Sequence, residues 1–505
     1  MLSGQGFARA ITVAILALAL PGACASEQTK NSQVRLAYFG SQAMMVSWNT
    51  EKHIANPRVH WGTSAHDLCY TASSKVSFTY PTSLTYNNHV LITGLEPGKT
   101  YHYLPEPLLG HRGCGRHHGP LEPFNFTTSR VAGDKTPFSA AVVVDLGTMG
   151  RLGLTTHAGK GVASTNILKP GETNTIESLA AHLDSFDFLW HPGDIAYADY
   201  WLKEEIQHFL PNTTIEEGYK VYETILNEFY EEMMSVTATK PYMVGPGNHE
   251  ANCDNGGTKD KEHNITYTVD ICMPGQTNFT GFKHHFRMPS QPSGGTGNFW
   301  YSFDNGMAHF IQLDTETDLG HGYVGPDEIG GSEGEGASPV NATMDAQTAW
   351  LEADLAAVDR SKTPWVIVAG HRPWYLSSSD DGTICSMCKD VFEPLLVKHN
   401  VDLVLSGHSH VYERQSPIAN GHIDPRELNN PSSPWYITNG ATCHNHHPDL
   451  IDSPLKPYTP FCIDTHNATF AQSRLTFHNR THMSHDFIAS KSGLILDSTT
   501  LFKDH

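Results

Sequence analysis

The sequence predicts a two-part chain of α+β and α/β character, an all-β sandwich followed by a layered domain of sheets flanked by helices. Three observations carry that reading. Over residues 33–131, short alternating segments such as 44–48 and 57–61 are separated by turn residues, and no helical period appears. From residue 137 to 505, apolar runs alternate with helical patterns at 175–184, 215–236, 344–358 and 391–399. In that second part, five apolar runs end in glycine and a side chain able to bind a metal.

At the start of the chain, Arg9 precedes an apolar run over residues 10–20, and Ala23-Cys24-Ala25 has the small-x-small form of a signal-peptidase site. Residues 1–25 are therefore expected to be a signal peptide, leaving a secreted, extracellular or cell-wall protein that begins near Ser26. The apolar run is too short to span a bilayer, which takes about 20 residues. No later run is longer and apolar, so no membrane partner is expected. The cysteines agree: there are 9, and removal of Cys24 leaves an even number for an oxidising compartment. Proximity in sequence suggests Cys253 with Cys272 and Cys443 with Cys462, Cys69 with Cys114 in the first part, and a structural Cys385–Cys388 pair. Asn125, Asn212, Asn264, Asn278, Asn341, Asn467 and Asn479 open glycosylation sequons, so N-linked glycans are expected on the surface.

A formal charge of -20 offers no basic stripe for phosphate backbones and argues against nucleic acid as a partner. The 31 histidines make the charge fall steeply in acid. Within the first part, residues 88–101 resemble a fibronectin type III strand-turn-strand, with Tyr101 and Tyr103 on the second strand. A polar link over residues 132–137 separates it from the second part. The long segment 314–343, rich in Gly and Glu, follows an apolar run at 308–313, and loops of that length commonly line a site or move.

The five run ends supply the chemistry. Residues 142–144 lead into Asp145-Leu146-Gly147, residues 186–190 into Gly193-Asp194-Ile195-Ala196-Tyr197, and 242–244 into Gly247-Asn248-His249-Glu250. Residues 365–368 lead into Gly370-His371, and 401–405 into Gly407-His408-Ser409-His410. In α/β sheets the carboxyl edge of the strands is where sites are built. Carboxylate and phenolate suit a hard trivalent ion, while imidazole, amide oxygen and a shared carboxylate suit a divalent neighbour.

The set as ordered resembles the purple acid phosphatases, within the dinuclear metallophosphoesterases. One block alone carries little weight, because GNH or GHxH marks metallophosphoesterases generally, but all five in order are specific. Tyr197, three residues after Asp194, discriminates within that group. The C-terminal segment 434–505, notably residues 473–479, resembles that family's too, and its larger members carry a β module in front of a metallophosphoesterase β-sandwich flanked by helices. The resemblance implies Asp145, Tyr197 and His410 as ligands of Fe(III), Asp194 as a bridge, and Asn248, His371 and His408 as ligands of a divalent ion, Zn, Fe or Mn. Two such ions, roughly 3.5–4 Å apart, clamp a phosphoryl group and activate water.

The implied activity is that of an acid phosphatase, in which a metal-bound hydroxide attacks small phosphate monoesters. A phosphodiesterase or nucleotide phosphatase on the same metal core is the nearest alternative. His249, beside Asn248, is expected to hydrogen-bond the phosphoryl group. In plant members a His pair follows the block at His371, but residues 375–381 here contain none. The leaving-group acid is then His444, which follows an apolar run at 435–438 and Gly440, or one of Asp380 and Asp381 in a polar turn. His117, His118, His284 and His285 are assigned no role.

Overall fold

A computed structural model describes residues 30–106, 122–149, 168, 171–201, 214–254, 259–260, 265–266, 269–317, 346–377, 384–441, 454–463 and 470–505. In the first part, eight strands form two four-stranded antiparallel sheets. One sheet has the order Ser32–Tyr38, Ala43–Thr50, Tyr86–Thr93, Ser77–Phe78, and the other Tyr70–Ser73, Arg58–Gly62, Thr100–Pro105, Phe124–Thr127. Alternation along the strands puts Val34, Leu36, Val46 and Trp48 of one sheet, and Val59, Tyr101, Tyr103 and Phe126 of the other, into one buried cluster. No helix occurs among the described residues of this part.

The sandwich is docked on the helix Gly218–Thr237. That helix buries Tyr222, Ile225, Leu226, Phe229, Tyr230, Met233 and Val236, spaced to form one apolar stripe. Across the contact, the Tyr103 hydroxyl donates to Ala238 O at 2.7 Å and Thr237 Oγ1 to Val34 O at 2.8 Å. Tyr80 and Thr82 donate to the buried Glu223 carboxylate at 2.8 and 2.7 Å. Arg35 Nε donates to His285 O at 2.8 Å, and His89 Nε2 lies 3.1 Å from His284 O, so these two histidines line the junction.

The second part holds two larger sheets, of six and seven strands. In the first the order is Tyr242–Gly245, Phe188–Pro192, Phe138–Val142, Ala471–Phe477, His482–Ala489, Ile495–Phe502, with the first three parallel. The second runs Tyr301–Asn305, Ala308–Gln312, Trp365–Ala369, Leu403–Ser406, Trp435–Asn439, Tyr412–Arg414, Phe461–Ile463, and the second to fifth of these are parallel. The sheets face each other through aromatic side chains: Phe188 meets Phe310 edge-on with centroids 5.1 Å apart, and Trp190 Nε1 donates to Gln312 Oε1 at 2.8 Å. On the outer face of the seven-stranded sheet, Leu351 and Leu355 of the helix Ala346–Ala357 and Phe392 and Leu396 of the helix Ser386–Lys398 cover Ile311, Val366, Val368 and Val404.

Several boundaries shift from the sequence reading. The last helix starts at Ser386 rather than 391, because Cys385 caps it, accepting from Cys388 N, and the polar first turn hides the period. The strand before Asp145 ends at Val142, and the one before Asp194 runs on to Pro192. Disulfides join Cys253 to Cys272 and Cys385 to Cys388. Cys69 is disulfide-bonded, while Cys114 and Cys443 lie outside the described residues.

Candidate metal centre

The carboxyl ends of three parallel strands in one sheet and two in the other point at a common space. Asp145 follows Phe138–Val142, Asp194 and Tyr197 follow Phe188–Pro192, and Asn248 follows Tyr242–Gly245. From the facing sheet, His371 follows Trp365–Ala369, and His408 and His410 follow Leu403–Ser406. The turns are tight enough to force unusual backbone: Asp145, Asp194, Tyr197 and His408 have φ of 58°, 51°, 53° and 68°. Left-handed conformations are uncommon for residues other than glycine and cluster where a site over-determines the chain. Gly407 is required for close approach, since a Cβ there would stand 2.2 Å from Val144 Cγ1 and 2.4 Å from Asp145 Oδ2.

All seven residues converge. The Tyr197 hydroxyl lies 3.1 Å from Asp145 Oδ1, 3.2 Å from Asp194 Oδ2 and 2.8 Å from His410 Nε2. His371 Nε2 lies 3.0 Å from Asp194 Oδ2, 3.1 Å from Asn248 Oδ1 and 3.1 Å from His408 Nδ1. Two groups of donors thus share one atom, Asp194 Oδ2. Backbone amides fix the other oxygen of each carboxylate: His249 N donates to Asp194 Oδ1 at 3.0 Å and His408 N to Asp145 Oδ2 at 2.9 Å. Glu250 welds two of the turns, accepting from Asp194 N at 3.0 Å, Ile195 N at 2.8 Å and Gly247 N at 2.8 Å.

This geometry fits metal ions. Donors about 2.1 Å from one ion and at right angles are about 3 Å from each other, the spacing seen here. The charge balance agrees. Burial, with the Asp194 charge beside it, pushes the Asp145 carboxyl well above its usual range, and Glu250 rises for the same two reasons. For Asp194, burial works the other way from His371 and His249, and the histidines prevail, holding it well below the usual range. Burial lowers the His371 imidazole, against the pull of Asp194. A buried cluster of carboxyls and imidazoles is the setting in which cations bind.

His249 stands at the edge of the same space. Its Nδ1 lies 2.7 Å from the buried Asp199 carboxylate, its ring packs on Tyr197 and Tyr200 at centroid distances of 4.1 and 4.9 Å, and its Nε2 lies 3.7 Å from Asp194 Oδ2. Asp199 was not singled out from sequence, although its place two residues after Tyr197, in Tyr197-Ala198-Asp199, was a usable signal. Glu250 and Glu316 were also missed. Glu316 pairs with Arg372, its Oε2 lying 2.9 Å from the Arg372 NH2 nitrogen, and most of the segment 314–343 lies outside the described residues. His444, Asp380 and Asp381 lie outside the described residues, as do His117 and His118.

Three family models match the chain: calcineurin-like phosphoesterase over residues 145–412, purple acid phosphatase N-terminal domain over 31–128, and iron/zinc purple acid phosphatase-like protein C over 433–498. Acid phosphatase A of Cryphonectria parasitica is 36% identical, the alignment covering 98% of this chain and 96% of that one. An acid phosphatase of Aspergillus ficuum is 31% identical over 99% of this chain and 90% of its own. Among solved structures, purple acid phosphatase PPD1 from yellow lupin (Lupinus luteus) seeds shares the fold with a TM-score of 0.64, at 20% identity, covering 94% of this chain and 75% of that one. The chain belongs to the purple acid phosphatases, enzymes of the calcineurin-like phosphoesterase group.

Proposed function

We propose that this chain is a secreted, N-glycosylated acid phosphatase that hydrolyses small phosphate monoesters at a site for Fe(III) and a divalent ion, Zn, Fe or Mn. The observation that carries the reading is the shared Asp194 Oδ2, 3.2 Å from the Tyr197 hydroxyl and 3.0 Å from His371 Nε2. Asp145, Tyr197 and His410 would hold the ferric ion, Asn248, His371 and His408 the divalent one, and Asp194 both. When bound, the pair neutralises phosphate oxygens and lowers the pKa of coordinated water.

The chain's own groups supply the rest. Asp199, 2.7 Å from His249 Nδ1, fixes the ring so that Nε2 faces the phosphoryl group. His444 would protonate the leaving alcohol. Residues 137–505 form the catalytic unit and 33–131 a fibronectin type III-like domain, a likeness supported by the Tyr101 hydroxyl accepting from Glu96 N at 3.0 Å. The hydrogen bonds joining that domain to the helix Gly218–Thr237 favour a packing partner over a binding module. Export is supported by the disulfides, and glycosylation by the exposure of Asn125, Asn278 and Asn479, the sequons within the described residues. The test is the rate on an alkyl monoester against that on the matching diester in acid. A clear preference for the monoester is expected, and equal or inverted rates would assign the core to phosphodiesters.

A further inference from the structure

His309, on the strand Ala308–Gln312, lies outside the donor cluster described above. Its ring stands between two carboxylates: Nδ1 is 2.7 Å from Asp304 Oδ1 and Nε2 is 2.9 Å from Asp354 Oδ2. Asp304 is its cross-strand partner on Tyr301–Asn305. Asp354 comes from the helix Ala346–Ala357, and its other oxygen accepts from Ser302 Oγ at 2.7 Å. On the far side the strand pairs with Trp365–Ala369, where the apolar Val366 stands opposite His309. The charged groups facing the ring from these elements are thus Asp304 and Asp354. A neutral imidazole carries one N–H and can serve only one of two carboxylates, whereas the imidazolium carries two. Burial opposes the charge, but the hydrogen bonds and charges of the two carboxylates prevail and take the ring from 6.5 up to about 9.

The same helix meets the metal centre through its first turn. Gln347, fully buried, lies seven residues before Asp354, which is two turns along one face. Its Oε1 accepts from Asp314 N at 2.7 Å and its Nε2 donates to Asp314 O at 2.9 Å, the pattern a neighbouring strand would make. Asp314 follows the strand Ala308–Gln312, whose pairing continues as Leu313 N donates to Ala369 O at 2.8 Å. The next hydroxyl, Thr315 Oγ1, accepts from His371 N at 3.2 Å, and a Cβ on Gly370 would stand 2.8 Å from Thr315 Cγ2. The turn that presents His371 therefore rests on a strand exit that the helix holds in place.

We infer that the helix Ala346–Ala357 is a splint for His371 and that the His309 imidazolium locks it down, so that the centre stays assembled in acid and loosens in alkali. Gln347 and Thr315 are positioning residues, and His309 acts through them. The consequence for metal rests on the reading of His371 as a ligand; the lock itself does not. Because the ring is raised by folding, its contribution is fully present below 6.5 and is lost as the pH rises through about 9. One proton is linked, so the balance between held and released helix shifts by at most about tenfold per pH unit in that window.

The experiment compares metal-loaded wild type with His309→Gln, Asp304→Asn and Gln347→Ala from about pH 6 to about pH 10, reading melting temperature and the rate of metal release to EDTA. Wild type should show a fall in melting temperature as the pH passes about 9. His309→Gln should lack that step. It should release metal about tenfold faster than wild type at the acid end and converge with it at the alkaline end. Gln347→Ala should keep the melting step, since its lock is intact, and release metal faster than wild type throughout. A step unchanged in His309→Gln would overturn the lock. Wild-type release rates in either His309→Gln or Gln347→Ala would overturn the link to His371. Should His309→Gln fail to fold, Asp304→Asn decides: with one carboxylate gone the step moves to lower pH, and an unmoved step overturns the lock. A wild type that binds no metal would overturn the ligand reading instead, and the melting step would still report on the lock.

Discussion

At Tyr197 the backbone is left-handed, with φ of 53°, and the phenol is brought within 2.8–3.2 Å of three other donors. A phenolate on the proposed Fe(III) would give a visible charge-transfer band and contribute colour more than turnover. Tyr197→Phe is therefore expected to bleach the purified protein while metal content holds and activity falls by less than about tenfold. Absorption spectra with elemental analysis check this, and a colourless, iron-free, fully active wild type would contradict it. His444 belongs to the same scale. A general acid contributes roughly 10²- to 10⁴-fold, so His444→Ala should slow alkyl phosphates by at least the lower figure and aryl phosphates, whose phenolate leaves unaided, much less. An equal fall on both substrates, or none, would pass the role to His249 or a coordinated water.

At the scale of elements, the site depends on turns that leave no room for a side chain. A Cβ on Gly407 would stand 2.2 Å from Val144 Cγ1 and 2.4 Å from Asp145 Oδ2. Gly407→Ala should cost about 1–3 kcal/mol as an overpacking change and lower metal content, both measurable by thermal unfolding and elemental analysis. Full metal content in that variant would show that the turn has slack. That these seven residues would converge was legible in sequence because each sits in a short glycine-punctuated block after an apolar run. Their partners were not: Glu250, which also accepts from Gly247 N, lies 56 residues from Asp194, and Glu316 lies 56 residues from Arg372. Such contacts depend on which strands become neighbours, and a period of two or 3.6 carries no information about that.

For the whole molecule, sequence periodicity pointed to the short strands of the first part but not to the two facing sheets of the second. The strand Ala471–Phe477 pairs with Phe138–Val142 inside the first sheet from more than 300 residues away, with Arg474 opposite Ala141. The second strand of that C-terminal meander carries a prediction of its own. His485 on His482–Ala489 is buried between the Tyr412 hydroxyl and Ser473 Oγ, and burial takes it from 6.5 down to about 3, with Asp497 opposing and Arg414 adding to the shift. The unfolded chain thus takes up this proton before the folded one. The contribution of His485 to stability is complete above about 6.5 and is lost as the pH falls toward about 3. His485→Gln should flatten the acid limb of stability against pH by up to about 1.4 kcal/mol per pH unit in that window, read from melting temperatures. An unaltered limb would show that other groups set it.

The central claim is that Asp194 serves two ions at once. Metal content per chain, measured by elemental analysis on wild type, Asp194→Asn and the terminal-ligand variant Asn248→Ala, tests it most directly. Wild type should hold two ions, one of them iron, Asn248→Ala should keep the iron and lose mainly the divalent ion, and Asp194→Asn should be depleted of both. Two ions retained in Asp194→Asn would contradict the account.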